Sequence, residues 1–131
     1  MPIIIADAGP IIALIDKADD HHAWAKREVR PLPRPWIICA AAIAEVAHHF
    51  DNDPRALAAL RKQVGDMQVK ELVAGDVLAL MEQYAPAMDY ADACAVLLSK
   101  SHRGAVVVTT DHRDFATYKV PFISPKGAFH L

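Results

Sequence analysis

The sequence predicts an α/β domain: a three-layer sandwich with a central, mostly parallel sheet of about five strands between layers of helix. Three observations carry this expectation. The short apolar runs at residues 3–6, 36–39 and 105–110 have no polar face, which marks strands buried on both sides of a parallel sheet. These runs alternate with stretches of helical pattern, as βαβ units do. Finally, 131 residues that are 53% hydrophobic supply one core, with no internal repeat and no low-complexity segment, so residues 1–131 read as a single domain.

Residues 3–6 (IIIA) form the first strand candidate. Gly9 and Pro10 then open a helix, with proline in the first turn, where its missing N–H costs nothing. A second helix is expected over 20–29, and after the stiff connector at 31–35 a second strand over 36–39. Residues 41–50 read as a helix. Asp53 as N-cap and Pro54 at the next position start another that runs to Val64. Residues 67–72 alternate as a strand does, and 76–84 is amphipathic at helical spacing. The next helix covers 89–101 and is ended by Gly104. The β-branched run 105–110 is the most hydrophobic strand of the chain, and 120–123 is expected as a last, edge strand because it contains Pro121.

Composition narrows the function. The longest unbroken apolar run, 36–44, is far short of the roughly 20 residues a membrane span needs. Met1 and Pro2 lead into an apolar run with no basic segment before it, which does not read as a signal peptide. Cys39 and Cys94 are too few for a disulfide framework or a zinc cluster, and the expectation is two buried thiols in a reducing cytoplasm. The net charge is −2, so any binding of nucleic acid rests on a local basic face or on bound cations.

The chemistry gathers where the strands end. Asp7 directly follows the first strand and Asp111 directly follows the run 106–110, so both are expected at the carboxyl edge of the sheet, where ligands bind in such folds. Glu45 lies one or two turns into the helix after the second strand, and Asp92 in the first turn of its helix. Each has an ordinary structural reading as well. Asp7 suits a helix cap, Asp111 a turn, and Asp92 a capping arrangement with Asp89. Glu45, flanked by apolar residues at 40–44 and 46–47, is the hardest to explain that way, because a buried carboxylate needs a partner. Two like charges 4 Å apart repel by about 4 kcal/mol at an effective dielectric near 20. Four carboxylates in one cleft therefore require that some be protonated or that a cation sit among them. Hard oxygen ligands without cysteine suit Mg²⁺ or Mn²⁺, which can activate water against a phosphodiester.

Four stretches together resemble the motifs of PIN-domain nucleases: IIADAGPIIALI at 4–15 with the following Asp19 to Trp24, CAAAIAEV at 39–46, MDYADACAV at 88–96, and VVTTDHRDF at 107–115 followed by Tyr118. Within that family the chain is similar to the small bacterial toxin ribonucleases of the VapC type. The resemblance implies a Rossmann-like PIN fold and Mg²⁺- or Mn²⁺-dependent endoribonuclease activity that leaves 5′-phosphate and 3′-hydroxyl ends. It also implies a homodimer and a cognate antitoxin protein that blocks the site. Asp7, Glu45, Asp92 and Asp111 take the family's acidic, catalytic positions, with Asp7 and Asp92 the principal metal ligands.

Two positions depart from the pattern. Ala8 and Cys39 stand where Ser or Thr is usual, and both lose a hydroxyl that can orient a carboxylate or water. Those losses motivate an alternative, a catalytically weak PIN-like module that binds RNA or protein. Asp114 is a further acid, an accessory ligand or, on the favoured reading, a cap for the turn at 115–118. Cys39 is likewise an accessory candidate. Arg103 and Arg113 are the candidates for phosphate contacts, while Arg27, Arg30, Arg34, Arg55, Arg61 and Lys62 read as solvated faces. Glu45, His48 and His49 mimic a carboxylate–histidine metal motif, but its second copy is missing and the histidines read as solvated or partner-facing. His21 and His22 are expected on a surface helix and Trp24 in packing. A phospho-acceptor receiver domain is disfavoured, since Asp7-Ala8 does not supply adjacent acids after the first strand and Ser124-Pro125 does not supply a lysine directly after the last.

Overall fold

The computed structural model describes residues 2–131. In chain order the elements are β1 (Ile4–Ala6), α1 (Ala8–Ile15), α2 (His22–Trp24) running on into a π-helical turn (Ala25–Val29), β2 (Ile37–Cys39), α3 (Ala40–His49) and α4 (Pro54–Val64). Then come β3 (Gln68–Lys70), α5 (Ala74–Gln83), α6 (Tyr90–Ser101), β4 (Val106–Val108), α7 (His112–Tyr118), β5 (Phe122–Ser124) and β6 (Gly127–Phe129).

The strands form one sheet of six in the order β3-β2-β1-β4-β5-β6, parallel except for β6. Ile5 stands opposite Ile37 on one side and Val107 on the other. Successive side chains of a strand point to opposite faces, yet β1, β2 and β4 are buried at every position. Both faces of the central sheet are therefore covered, as the absence of a polar face predicts. Helix α6 lies against β1, β2 and β4. The core includes the fully buried Trp36, Phe115, Phe122, Ile5 and Ile11.

The sheet differs from expectation at its ends. The strand after α7 is not an edge strand, because β6 pairs antiparallel with it. Pro121 is accommodated just ahead of the strand. Its carbonyl accepts the Val107 N–H at 2.9 Å and its missing N–H falls outside the ladder. The helix expected over 20–29 begins only at His22 and becomes a π-helical turn. His22 is half-buried rather than on the surface: its Nδ1 lies 2.6 Å from the Ala13 carbonyl, which ties the segment to α1. Trp24 packs in the core.

Strand order positions the site. The chain steps outward from β1 through β2 to β3, then returns to the other side of β1 to place β4. The crevice beyond the carboxyl ends of β1 and β4 is thus the switch point of the sheet, where ligands of α/β folds bind.

Candidate active site

At the end of β1 the chain turns directly into α1, and Asp7 stands at the turn, 7% exposed. Its N–H continues the sheet pairing by bonding the Val108 carbonyl at 3.0 Å. Asp7 occupies the N-cap position of α1 but makes no capping hydrogen bond. Instead the buried Thr109 hydroxyl donates to Asp7 Oδ2 at 2.7 Å and accepts the Asp111 N–H at 2.9 Å. One hydroxyl therefore joins the acid after β1 to the acid after β4.

Asp92 sits in the first turn of α6, also 7% exposed. Its N–H is capped by Asp89 Oδ1 at 2.7 Å, and the Tyr118 hydroxyl donates to its Oδ2 at 3.1 Å. The Tyr118 ring is fixed edge-on against Tyr84 and Phe115, with centroids 5.2 and 5.3 Å away. Asp111 caps α7 by accepting the Asp114 N–H at 3.2 Å. Asp92, Asp111 and Asp114 each offer a carboxylate oxygen within 4.8 Å of the others. Asp7, Glu45, Asp89, Asp92 and Asp111 line a single cavity of about 190 Å³ together with Gly9 and Thr110.

Burial and crowding raise the proton affinity of this group. Asp7 is pushed up to about 6, first by burial and then by repulsion from Asp89 and Asp111, against the opposing Thr109 hydrogen bond. Asp92 is pushed up to about 7 by burial and by the charges of Asp89 and Asp7. Glu45 is raised by partial burial and by the same two neighbours, Asp7 and Asp89. Asp114 is raised chiefly by its hydrogen bond with Asp111. None of the described residues lining the cavity is Lys or Arg. Oxygen donors alone, crowded and without a protein cation, fit a hard divalent ion such as Mg²⁺ or Mn²⁺.

The four expected acids thus meet, but with differences. Glu45 is exposed rather than buried. Helix α3 buries only Ala42 and Val46, and its other small side chains leave Glu45 at the mouth of the cavity. Asp89, read from sequence as a cap alone, both caps α6 and lines the cavity. Asp114 stands with the acids, and the cap of α7 is Asp111 instead. Thr109 and Tyr118 are the further site residues; their Thr-Thr-Asp and Asp-Phe-x-x-Tyr contexts are visible in the chain, but their contacts are tertiary.

The basic candidates separate. Arg113 is exposed in the first turn of α7, where its charge lowers the proton affinity of Asp114. Arg103 is misplaced by the sequence reading. Helix α6 begins at the site and runs away from it, so Arg103 lies beyond its far end, at the amino edge where β4 begins. His48 and His49 are exposed at the end of α3. Cys39 does not line the cavity; it is 4% exposed, and its Sγ caps α3 by accepting the Ala42 N–H at 3.4 Å. Burial raises its thiol pKa.

Among solved structures, the Sarcin-Ricin loop cleaving toxin VapC20 of Mycobacterium tuberculosis is similar over 87% of this chain and 94% of its own, with a TM-score of 0.73 and 18% identity. PAE2754 of Pyrobaculum aerophilum is similar over 88% of this chain and 85% of its own, with a TM-score of 0.60 and 21% identity. No curated protein sequence matches. The PIN domain profile matches residues 4–121, which takes in β1 with Asp7 and the starts of α6 and α7 with Asp92 and Asp111. With nearly the whole domain matched, the chain belongs to the PIN domain family.

Proposed function

We propose that this chain is a metal-dependent endoribonuclease of the VapC type, the toxin of a toxin–antitoxin pair. The observation that carries the reading is the meeting of carboxylates from four distant stretches in one cavity at the switch point, with no Lys or Arg among the described residues that line it. The sarcin–ricin loop cleaved by the M. tuberculosis relative supports RNA as the substrate class.

Asp7 and Asp92 hold Mg²⁺ or Mn²⁺, with Asp111 and Asp114 beside Asp92 and Glu45 at the mouth. When bound, such an ion offsets the crowded carboxylates, makes water more acidic and stabilises charge building on a phosphodiester. Glu45, exposed and with its proton affinity raised, is placed to orient and deprotonate the attacking water. Thr109 and Tyr118 fix the two buried carboxylates. No side chain forms a covalent intermediate in this scheme. Arg113 is the candidate phosphate contact beside the acids. The same reading carries a homodimer, a cytoplasmic setting and an antitoxin protein that covers the cleft. Among the described residues no helix is long and apolar enough to cross a membrane.

The test incubates purified protein with RNA in Mn²⁺, in Mg²⁺ and in chelator. Metal-dependent cleavage leaving 5′-phosphate and 3′-hydroxyl ends is expected, and it disappears in Asp92→Asn. Buried Ala8, which offers no hydroxyl beside Asp7, favours one second reading, a binding module of weak catalysis. RNA binding without cleavage in either metal selects that reading.

A further inference from the structure

The two most buried carboxylates of the cavity are held in the same way. Thr109 donates its hydroxyl proton to Asp7 Oδ2 at 2.7 Å, and Tyr118 donates its own to Asp92 Oδ2 at 3.1 Å. In each carboxylate Oδ2 is committed to a fixed hydroxyl, and Oδ1 is the oxygen without one. Tyr118 has little freedom to withdraw. It is 4% exposed, it closes the last turn of α7, and its ring is clamped edge-on by Phe115 and Tyr84. Donor and acceptor also come from different elements, so the bond fixes the start of α6 against the end of α7.

This arrangement bears on which ion the cavity prefers. Ca²⁺ takes six to eight oxygens in flexible geometry and often draws both oxygens from one carboxylate. Mg²⁺ demands near-ideal octahedral geometry with single oxygens and retained waters. A hydroxyl bond uses one of the two lone-pair sites of Oδ2 and fixes the rotation of the carboxylate, which biases it toward single-oxygen ligation through Oδ1. Outer partners of this kind set the orientation of a ligand and so tune the ion it accepts.

We propose that Tyr118 is a positioning residue that biases Asp92 toward single-oxygen ligation and thereby disfavours Ca²⁺ relative to Mg²⁺ or Mn²⁺. The proposal rests on the reading of the cavity as a divalent-ion site. It assigns the selectivity to a phenol rather than to another acid.

The test needs no RNA. Protein stripped with chelator is titrated calorimetrically with Mn²⁺ and, separately, with Ca²⁺. In Tyr118→Phe, which keeps the ring packing, the affinity for Mn²⁺ falls and the Mn²⁺-to-Ca²⁺ affinity ratio drops on the order of tenfold. An unchanged ratio in folded Tyr118→Phe overturns the proposal. So does an equal drop in Tyr84→Leu, which retains the Tyr118 hydroxyl and perturbs only its ring packing. A second measurement uses the unaltered protein. On Mn²⁺ binding, the separation of the antisymmetric and symmetric carboxylate stretches widens for single-oxygen ligation, and narrowing, the mark of chelation, overturns the proposal. If the unaltered protein binds neither ion, the metal-site reading itself fails. If it binds Mn²⁺ with a ratio indifferent to Tyr118, that reading stands and only the role of Tyr118 is lost.

Discussion

The Thr109 hydroxyl bonds Asp7 Oδ2 at 2.7 Å although the two residues are 102 positions apart, and it does so from a site with no solvent exposure. The same oxygen accepts the Asp111 N–H, so a single atom satisfies one buried acid and orients the loop that carries another. Thr109→Val keeps the shape and deletes both bonds. Loss of a buried partner of this sort costs about 1–3 kcal/mol. Urea unfolding at neutral pH is expected to show a loss in that range, whereas Thr109→Ser is expected to retain most of the stability.

Metal-free protein should lose stability as pH rises through the range in which Asp7 and Asp92 ionise. Both carboxyls are raised in the fold, from the ordinary 3.8 to about 6 and about 7 respectively. Well below pH 3.8 the folded and unfolded chains are both protonated there and nothing is lost. Between that point and about pH 7 the unfolded chain gives up these protons before the folded one does, so unfolding gains. At about 1.4 kcal/mol per pH unit, Asp7 alone disfavours the fold by roughly 3 kcal/mol at pH 8. Asp7→Asn in chelator is therefore expected to be more stable than the parent at pH 8 and to lose that advantage near pH 4. Chemical denaturation at the two pH values checks it. Mn²⁺ is expected to reverse the ranking at pH 8, because only the parent retains the ligand.

Gly9 lines the cavity for a steric reason. A methyl group there would overlap the Thr110 hydroxyl and stand 3.0 Å from the Thr110 Cβ and 3.2 Å from its Cγ2, so rotating that side chain gives no relief. Gly9→Ala is expected to cost about 1–3 kcal/mol as an overpacked contact, despite the better helix propensity of alanine. It also displaces the loop before Asp111. A melting curve reports the first effect and a Mn²⁺ titration the second.

Cys39 has the place of a helix cap, not of a ligand. Its Sγ accepts the Ala42 N–H at the start of α3. Cys39→Ala is expected to lower stability by about 0.5–2 kcal/mol, the usual cost of losing an N-cap side chain. RNA cleavage per folded molecule is expected to be unchanged, a comparison that separates capping from catalysis.

The parts of this molecule that can be read in the chain are those governed by local pattern. Ile4, Ile5 and Val106 to Val108 read as buried strands because two-sided burial removes polar residues, and that placed Asp7 and Asp111 at one edge. Asp53 and Pro54 announced α4 through capping chemistry. What escaped depends on tertiary choice. Arg103 is close in sequence to β4, but nearness to a strand does not say which end of the sheet a residue occupies. Glu45 has apolar neighbours, yet alanines on a helix cover little surface, so it emerges to solvent. Strand β6 has three residues after a turn and no alternation to reveal it. Asp89 hid behind its capping role, and the hydroxyls of Thr109 and Tyr118 find their carboxylates only through folding.

The position of β4 between β1 and β5 has a temporal consequence. A chain emerging from the ribosome carries Asp7 102 positions ahead of Thr109, with Asp111 and Tyr118 later still. Until β4 pairs with β1, Asp7 lacks its Thr109 partner, and Asp92 lacks Tyr118 and the neighbouring Asp111. If the cavity is a divalent-ion site, a chain that lacks β4 and α7 is expected to bind Mn²⁺ more weakly than the whole domain, and ion binding then reports that the two parts of the sheet have joined.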